Sequence, residues 1–382
     1  MEVVNVAAPS ESAIRSALSK VDDPEIGKPI TDLGMVKSID IGDAGEVDVI
    51  VYLTTSGCPM RTEISDRVRT AVADVPGVGA ITVGLDVMND EQRTELRKKL
   101  RGDRSEPVIP FAQPGSLTRV YAVASGKGGV GKSSVTVNLA AALAQRGLSV
   151  GVLDADIYGH SVPRMLGNGA KPTQVDQMIM PPIAHNVRFI SIGQFTDGNT
   201  PVTWRGPMLH RALQQFLADV YWGDLDILLL DLPPGTGDVA ISIAQLIPGA
   251  EILVVTTPQQ AAAEVAERAG SIALQTRQKV LGVVENMSWL ELPDGTRMTP
   301  FGEGGGAQVA ERLSRAIGAN VELLGQVPLE PSVREGGDAG VPVVLSAPES
   351  AAGSALRAIA DKLAVQRRGL AGMSLTIDPA GR

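Results

Sequence analysis

The chain has 382 residues, one cysteine and a formal net charge of −9, with 44% hydrophobic, 20% charged and only 3% aromatic residues. An acidic chain this poor in aromatics lacks the positive face and the stacking platforms that nucleic-acid binding needs, so no nucleic-acid partner is expected. A single cysteine excludes an internal disulfide. With no basic-then-apolar leader and no run of 18 apolar residues, the chain reads as a cytoplasmic globular protein of more than one domain, with no membrane partner expected.

Taken in order, residues 9–20 predict a helix capped by Ser10 or Ser12, with Ile14, Leu18 and Val21 on one face, which Val21-Asp22-Asp23-Pro24-Glu25 breaks. Alternation over 47–53 predicts an edge-like strand. Thr54 to Pro59 forms a loop opening a helix over 60–74, which Pro76-Gly77 ends, and residues 80–87 give another strand. Together these make a small α+β domain over residues 1–90. Cys58 stands just before the second helix, whose dipole would lower a thiol pKa. A small buried residue filling the helix start is the alternative reading of Cys58. Residues 91–117 read as a linker, first a solvated helix dense in both charge signs, then Pro107, Pro110 and Pro114-Gly115.

From residue 118 to 382 strands and helices alternate, with strands expected at 119–124, 149–153, 187–192, 225–230, 251–256, 279–284 and 321–325. This pattern predicts an α/β fold, a doubly wound, mostly parallel sheet with ligands at the carboxyl ends of its strands. Between the first of these strands and a helix rich in Ala and Leu lies Gly126-Lys127-Gly128-Gly129-Val130-Gly131-Lys132-Ser133, which meets every fixed position of the phosphate-loop pattern G-x-x-x-x-G-K-[ST]. Glycines let successive N–H groups turn inward around an anion, and the following helix adds its positive end. Lys132 would reach the β- and γ-phosphates and the Ser133 hydroxyl would hold Mg²⁺. Two further strand ends carry carboxylates. Asp154 and Asp156 close the strand at 149–153, where a carboxylate can hold a metal-bound water or position the attacking water, and Asp231 closes the apolar run 225–230, in the position of a Mg²⁺-reaching Walker B aspartate.

Lys127 directly after the first glycine makes the loop resemble the deviant Walker A of the nitrogenase iron protein, arsenite-pump, MinD and ParA ATPases. The resemblance implies ATP and Mg²⁺ as cofactors, contacts from Gly126 through Ser134, and a homodimer in which Lys127 touches the phosphates of the other subunit. It also implies Asp154 beside the Mg²⁺ shell, Asp156 orienting the hydrolytic water, and Asn286 on the adenine, with Lys127, Lys132 and Asp156 as the catalytic set. Pro328 to Glu335 is similar to the family's later base-side loop. Asp231-Leu232-Pro233-Pro234-Gly235-Thr236-Gly237-Asp238 and Glu285-Asn286-Met287-Ser288 are similar to the Mrp/ApbC cluster-carrier subgroup. Trp204 to Met208 also resembles that subgroup, with no role derivable. Asp22-Pro24-Glu25, Asp32-Leu33-Gly34-Met35-Val36, Thr54-Thr55 and Gly57-Cys58-Pro59 resemble the SufT/PaaD iron–sulfur assembly domain, in which Cys58 is the reactive or cluster-linked position.

The implied function is an ATP-hydrolysing iron–sulfur cluster carrier or assembly factor, with apoprotein clients or assembly proteins as partners. One departure bears on the cluster. Where the subgroup carries Cys-Pro-x-Cys, this chain reads Trp289-Leu290-Glu291-Leu292-Pro293-Asp294-Gly295. A homodimer then has two thiols, both Cys58, against the four that a cysteine-held four-iron cluster requires. An ATP-gated adaptor without its own cluster therefore stays open. So does a MinD/ParA-like positioning ATPase, for which Leu356, Ile359 and Leu363 on one side of 354–368 would be a membrane-facing stripe; a C-terminal helix packed on its own domain explains them as well.

Overall fold

Two hydrophobic cores form from interleaved stretches of the chain in the computed structural model, which describes residues 9–54, 60–101, 108–156, 159, 161–176, 178–195, 206–235, 237–259, 269–271 and 273–365. One unit joins Met1–Pro107 with Pro172–Pro181 and Asp219–Gly223; the other takes Val108–Lys171, Pro182–Ala218 and Asp224–Arg382.

In the first unit Ser10 caps α1 (Glu11–Leu18), its hydroxyl accepting the N–H of Ala13. Ile14 and Leu18, four residues apart, are both fully buried. Three strands follow the order β1 (Val36–Ile41), β2 (Val47–Leu53), β3 (Ile81–Val87). The strand expected at an edge is therefore the central one: β2 pairs antiparallel with β1 and parallel with β3, and buries Val47, Val49 and Val51. β1 is hidden in the sequence because its register shifts between Val36 and Ser38, which breaks the alternation that would have revealed it. α2 (Arg61–Ala73) covers the sheet with Ile64, Val68 and Val72 at helical spacing.

α3 (Asp90–Arg101) corrects the expectation of a solvated linker helix. Leu96 is buried in the first core, and Arg97 pairs with Asp176 at 3.0 Å. That aspartate belongs to a hairpin, Thr173–Val175 with Met178–Met180, which supplies Val175, Met178 and Met180 to the same core. The sequence hides this, because the hairpin lies some seventy residues beyond α3 and its apolar run is only three residues long.

The second unit holds an eight-stranded sheet. Its strands are β4 (Arg119–Ala124), β5 (Val150–Asp154), β6 (Ile183–Ala184), β7 (Val187–Ser191), β8 (Ile227–Asp231), β9 (Glu251–Thr256), β10 (Val280–Asn286) and β11 (Glu322–Val327). They lie in the order β11-β10-β9-β4-β8-β5-β7-β6, parallel throughout except for β6 on β7. The expected doubly wound α/β sheet is the observed one. Near-continuous apolar runs such as Ile227 to Leu230 are fully buried because helices cover both faces.

α4 (Lys132–Gln145) lies under the sheet with Leu139, Ala140, Ala141, Ala142 and Leu143 all at zero exposure. The order of strands places the carboxyl ends of β4, β8 and β5 side by side, so that Asp231 is in register with Asp154 on one side and Val123 on the other. The phosphate loop leaves β4 at this edge. Among the described residues no helix is long and apolar enough to cross a membrane.

Candidate nucleotide site

The loop between β4 and α4 turns on two glycines, Gly129 and Gly131, both with φ +78°. L-residues avoid this left-handed region. A Cβ on Gly131 would run into Asn286 Nδ2, whereas one on Gly129 would face open space, so the loop is pressed against β10 on one side and open on the other. Asn286, at the end of β10, donates from Nδ2 to the Val130 carbonyl at 2.9 Å. It is held there by a sharp turn: Met287 takes a left-handed φ of 58°, and the Ser288 hydroxyl donates back to the Glu285 carbonyl. In this structure Asn286 thus braces the loop as well as lining the cavity beside it.

Three side chains of α4 converge on one carboxylate. Lys132, only 6% exposed, places Nζ 2.6 Å from Asp231 Oδ1. The Ser133 hydroxyl donates to Oδ2 at 2.6 Å, and the Thr136 hydroxyl lies 2.9 Å from Oδ1. Asp231 is fully buried, as is Asp154 on the neighbouring strand. One lysine cannot neutralise both carboxylates. Burial, and then the negative charge of Asp231, push the Asp154 carboxyl up to about 7, against the pull of its hydrogen bond from Ser191. A buried pair of carboxylates, with a hydroxyl and a lysine at its mouth, is a hard, anionic oxygen set suited to Mg²⁺. The open face of the glycine loop fits a phosphate chain.

Asp156 is half-buried; its N–H donates to Asp154 Oδ1 and its own Oδ1 accepts the N–H of Gly159. Lys127 is hydrogen-bonded through Nζ to Gln259 Oε1 of its own chain, while its carbonyl accepts the Ser125 hydroxyl. The Gly235 N–H donates to the Ser125 carbonyl at 2.9 Å, tying the Asp231–Asp238 segment to the phosphate loop. A cavity of about 340 Å³ opens beside Gly131 and Ser134, walled by Asn286, Met287, Leu329 and Val333. It places the Pro328–Glu335 segment next to the loop, large enough for a planar base. A wider, open hollow of about 830 Å³ in the N-terminal unit, between Lys20, Met60 and Arg67, carries charged side chains, among them Arg67 and Glu63, which pair with each other.

Cys58, Trp204 and Arg205 lie outside the described residues; Gly206 and Pro207 open α5 (Gly206–Asp219). Where the Cys-Pro-x-Cys would stand, Leu290–Glu291 pairs with Arg297–Met298 in a small hairpin, the Arg297 guanidinium stacked 4.6 Å from the Trp289 ring. Asp294 accepts the N–H of Thr296 in its exposed turn, which holds its carboxyl below the usual range. No group of three or more His, Cys, Asp and Glu side chains that could hold a metal ion occurs among the described residues.

The C-terminal helix settles the reading of its apolar stripe. After α6 (Gly305–Ile317), α7 (Pro331–Ala339) and α8 (Val343–Ser346), helix α9 (Ala351–Val365) buries Leu356, Ile359 and Leu363 in the core of its own unit. Lys362 donates to the Leu324 carbonyl, and Arg119 to the carbonyl of Leu363. That stripe is core, so it gives no support to a membrane-cycling ATPase.

Motif reading missed Thr136, Gln259 and Ser191. Thr136 is four residues past Lys132 and so on the same helical face, a spacing that could have exposed it. Gln259 and Ser191 reach the site only through strand order, which carries no local signature.

A parallel sheet with this loop at the carboxyl end of its central strand and two strand-end aspartates beside it is that of a P-loop NTPase. Residues 116–364 match the model of the NUBPL iron-transfer P-loop NTPases, and residues 11–83 match that of an iron–sulfur cluster assembly protein. The chain is 74% identical over 371 residues, 97% of each chain, to the iron–sulfur cluster carrier protein of Mycobacterium tuberculosis. It is 45% identical over 358 residues, 93% of this chain and 95% of the other, to that of Deinococcus radiodurans. Among solved structures, a nucleotide-binding protein from Archaeoglobus fulgidus in complex with ADP shares 33% identity and a TM-score of 0.50, over 66% of this chain and 91% of that one. The chain belongs to the NUBPL iron-transfer P-loop NTPase family.

Proposed function

We propose that this protein binds and hydrolyses ATP with Mg²⁺ and, as an ATP-gated homodimer, carries iron–sulfur clusters or hands them to apoproteins. The observation that carries the reading is the convergence of Lys132, Ser133 and Thr136 on Asp231, with Asp154 in register beside it, under an open glycine loop. Mg²⁺ held by Ser133 and the two aspartates would neutralise charge developing on the β- and γ-phosphates. Lys132 exchanges its bond to Asp231 for the phosphates when nucleotide enters, so its charge moves from one anion to another without leaving the site. Asp156 accepts from the attacking water, which adds to the γ-phosphorus as the bond to the ADP oxygen breaks. Gly235 and Gly237, within the Asp231–Asp238 segment, allow it to follow the γ-phosphate.

The cluster is cargo. With Cys58 as the only thiol of the chain, clusters held by this protein take their remaining ligands from a partner protein or a small thiol. The cysteine-free hairpin at 290–298 favours a second reading, an ATP-driven adaptor that serves another carrier.

Lys127 supplies the test. Bonded to Gln259 within one chain, it must be released to reach phosphates across a dimer. ATP is expected to tighten self-association in sedimentation, and Lys127→Ala to lower hydrolysis by about 10- to 100-fold while leaving a folded monomer that binds nucleotide. Full hydrolysis by wild-type protein at dilutions where it is strictly monomeric would contradict the dimer mechanism.

A further inference from the structure

Ser191 ends β7 directly beside Asp154 of β5 in the strand register, and is fully buried. Its hydroxyl donates to Asp154 Oδ2 at 2.9 Å. The N–H of Gly193 donates to Ser191 Oγ at 3.3 Å, so this oxygen accepts there while its proton points at the carboxylate. The Ser191 backbone is held in turn. Its N–H donates to Gln194 Oε1 at 2.9 Å, and Gln194 Nε2 donates to the Ala170 carbonyl at 2.9 Å.

Among the described residues Asp154 has two other donors, the N–H of Asp156 at 3.2 Å and that of Val162 at 3.4 Å. Both are longer, and both lie on the segment after β5 rather than on the sheet. Ser191 belongs to the sheet itself, on the strand paired with β5.

We infer that Ser191 is a positioning residue for the divalent cation: it locks the Asp154 carboxylate in one rotamer, so that the site meets Mg²⁺ preorganised. This rests on the Mg-ATP reading above. A hydrogen bond to a charged group in a buried site contributes enough to change an affinity about tenfold. Without the hydroxyl, the two longer backbone bonds hold Asp154 less firmly, and the cation must reorder it on binding.

The experiment compares full-length wild type, Ser191→Ala and Ser191→Thr. Mn²⁺ binding in the presence of ADP is followed by electron paramagnetic resonance, and ATP hydrolysis is titrated with Mg²⁺. Ser191→Ala is expected to bind Mn²⁺ about tenfold more weakly and to need about tenfold more Mg²⁺ for half-maximal hydrolysis. Its rate at saturating Mg²⁺ should stay within about threefold of wild type, and metal-free nucleotide affinity should be unchanged. Ser191→Thr keeps the hydroxyl and should restore the wild-type metal dependence. Equal Mn²⁺ affinity in Ser191→Ala and wild type overturns the inference. So does a Ser191→Thr protein as impaired as Ser191→Ala, which would reveal a packing role. Absence of hydrolysis in wild type that still binds Mn²⁺ would instead overturn the proposed activity and leave the Ser191 comparison standing.

Discussion

Lys132→Ala is expected to lower ATP hydrolysis by at least about 100-fold, and to do so in a destabilised protein. The first effect follows from losing the preorganised positive charge that the loop directs at the β- and γ-phosphates. The second follows from what Lys132 does in the structure. It is buried and bonded at 2.6 Å to Asp231, itself buried beside Asp154. Removing one partner of a buried ion pair leaves an uncompensated charge and typically costs about 3–5 kcal/mol. The two losses separate by measurement. Thermal melts give the folded fraction, and turnover is read at a temperature where the variant is fully folded. Wild-type turnover and ATP affinity in that folded variant would remove Lys132 from the mechanism.

Asp154→Asn should act in the opposite direction on stability. The folded-state pKa of Asp154, about 7, lies well above its ordinary value of 3.8, because burial and Asp231 disfavour its charged form. Between these values the folded chain holds a proton that the unfolded chain releases. The contribution of Asp154 is therefore most favourable below about pH 4 and declines as pH rises toward 7, beyond which it is flat. The neutral amide removes that decline. At pH 8 without nucleotide, Asp154→Asn is expected to be more stable than wild type by about 2–4 kcal/mol, with the gap closing at pH 4. Asp23, raised by burial in the N-terminal unit, has the same sign, so the wild-type-minus-variant difference is the quantity to follow. The same substitution should weaken Mn²⁺ binding and slow hydrolysis. Chemical denaturation across pH 4–8 checks the first point; a difference that does not change with pH would contradict it. On the proposed Mg²⁺ reading, this is a stability cost kept at a site where two carboxylates are buried together for a cation to join them.

The phosphate loop was legible in the sequence because its chemistry is local. Glycines that need left-handed φ, a lysine and a hydroxyl at fixed spacing, and a strand before and a helix after can all be read within about thirty residues. Asp154 and Asp231 were legible for a related reason, since each ends an apolar run. What they do to each other was not, because their adjacency depends on β8 lying between β4 and β5. Ser191 and Gln259 were out of reach for the same cause. In the N-terminal unit the sequence placed α1, α2, β2 and β3 well but lost β1 to its register shift. It also read α3 by its charges and missed Leu96, the residue that anchors it. The hairpin at 173–180 could not be assigned to that core from sequence, because nothing local ties three-residue strands to a partner so far back in the chain.

Anaerobic reconstitution of the full chain tests most directly whether an ATP site and cluster handling meet in this protein through one thiol. Wild type and Cys58→Ala are each reconstituted with iron and sulfide in the presence of a small thiol. Both are followed by absorption spectroscopy and iron analysis, and then assayed for ATP hydrolysis. The account predicts a labile cluster on wild type, none on Cys58→Ala, and equal ATP hydrolysis by both. A stable four-iron cluster retained by the Cys58→Ala homodimer would contradict it.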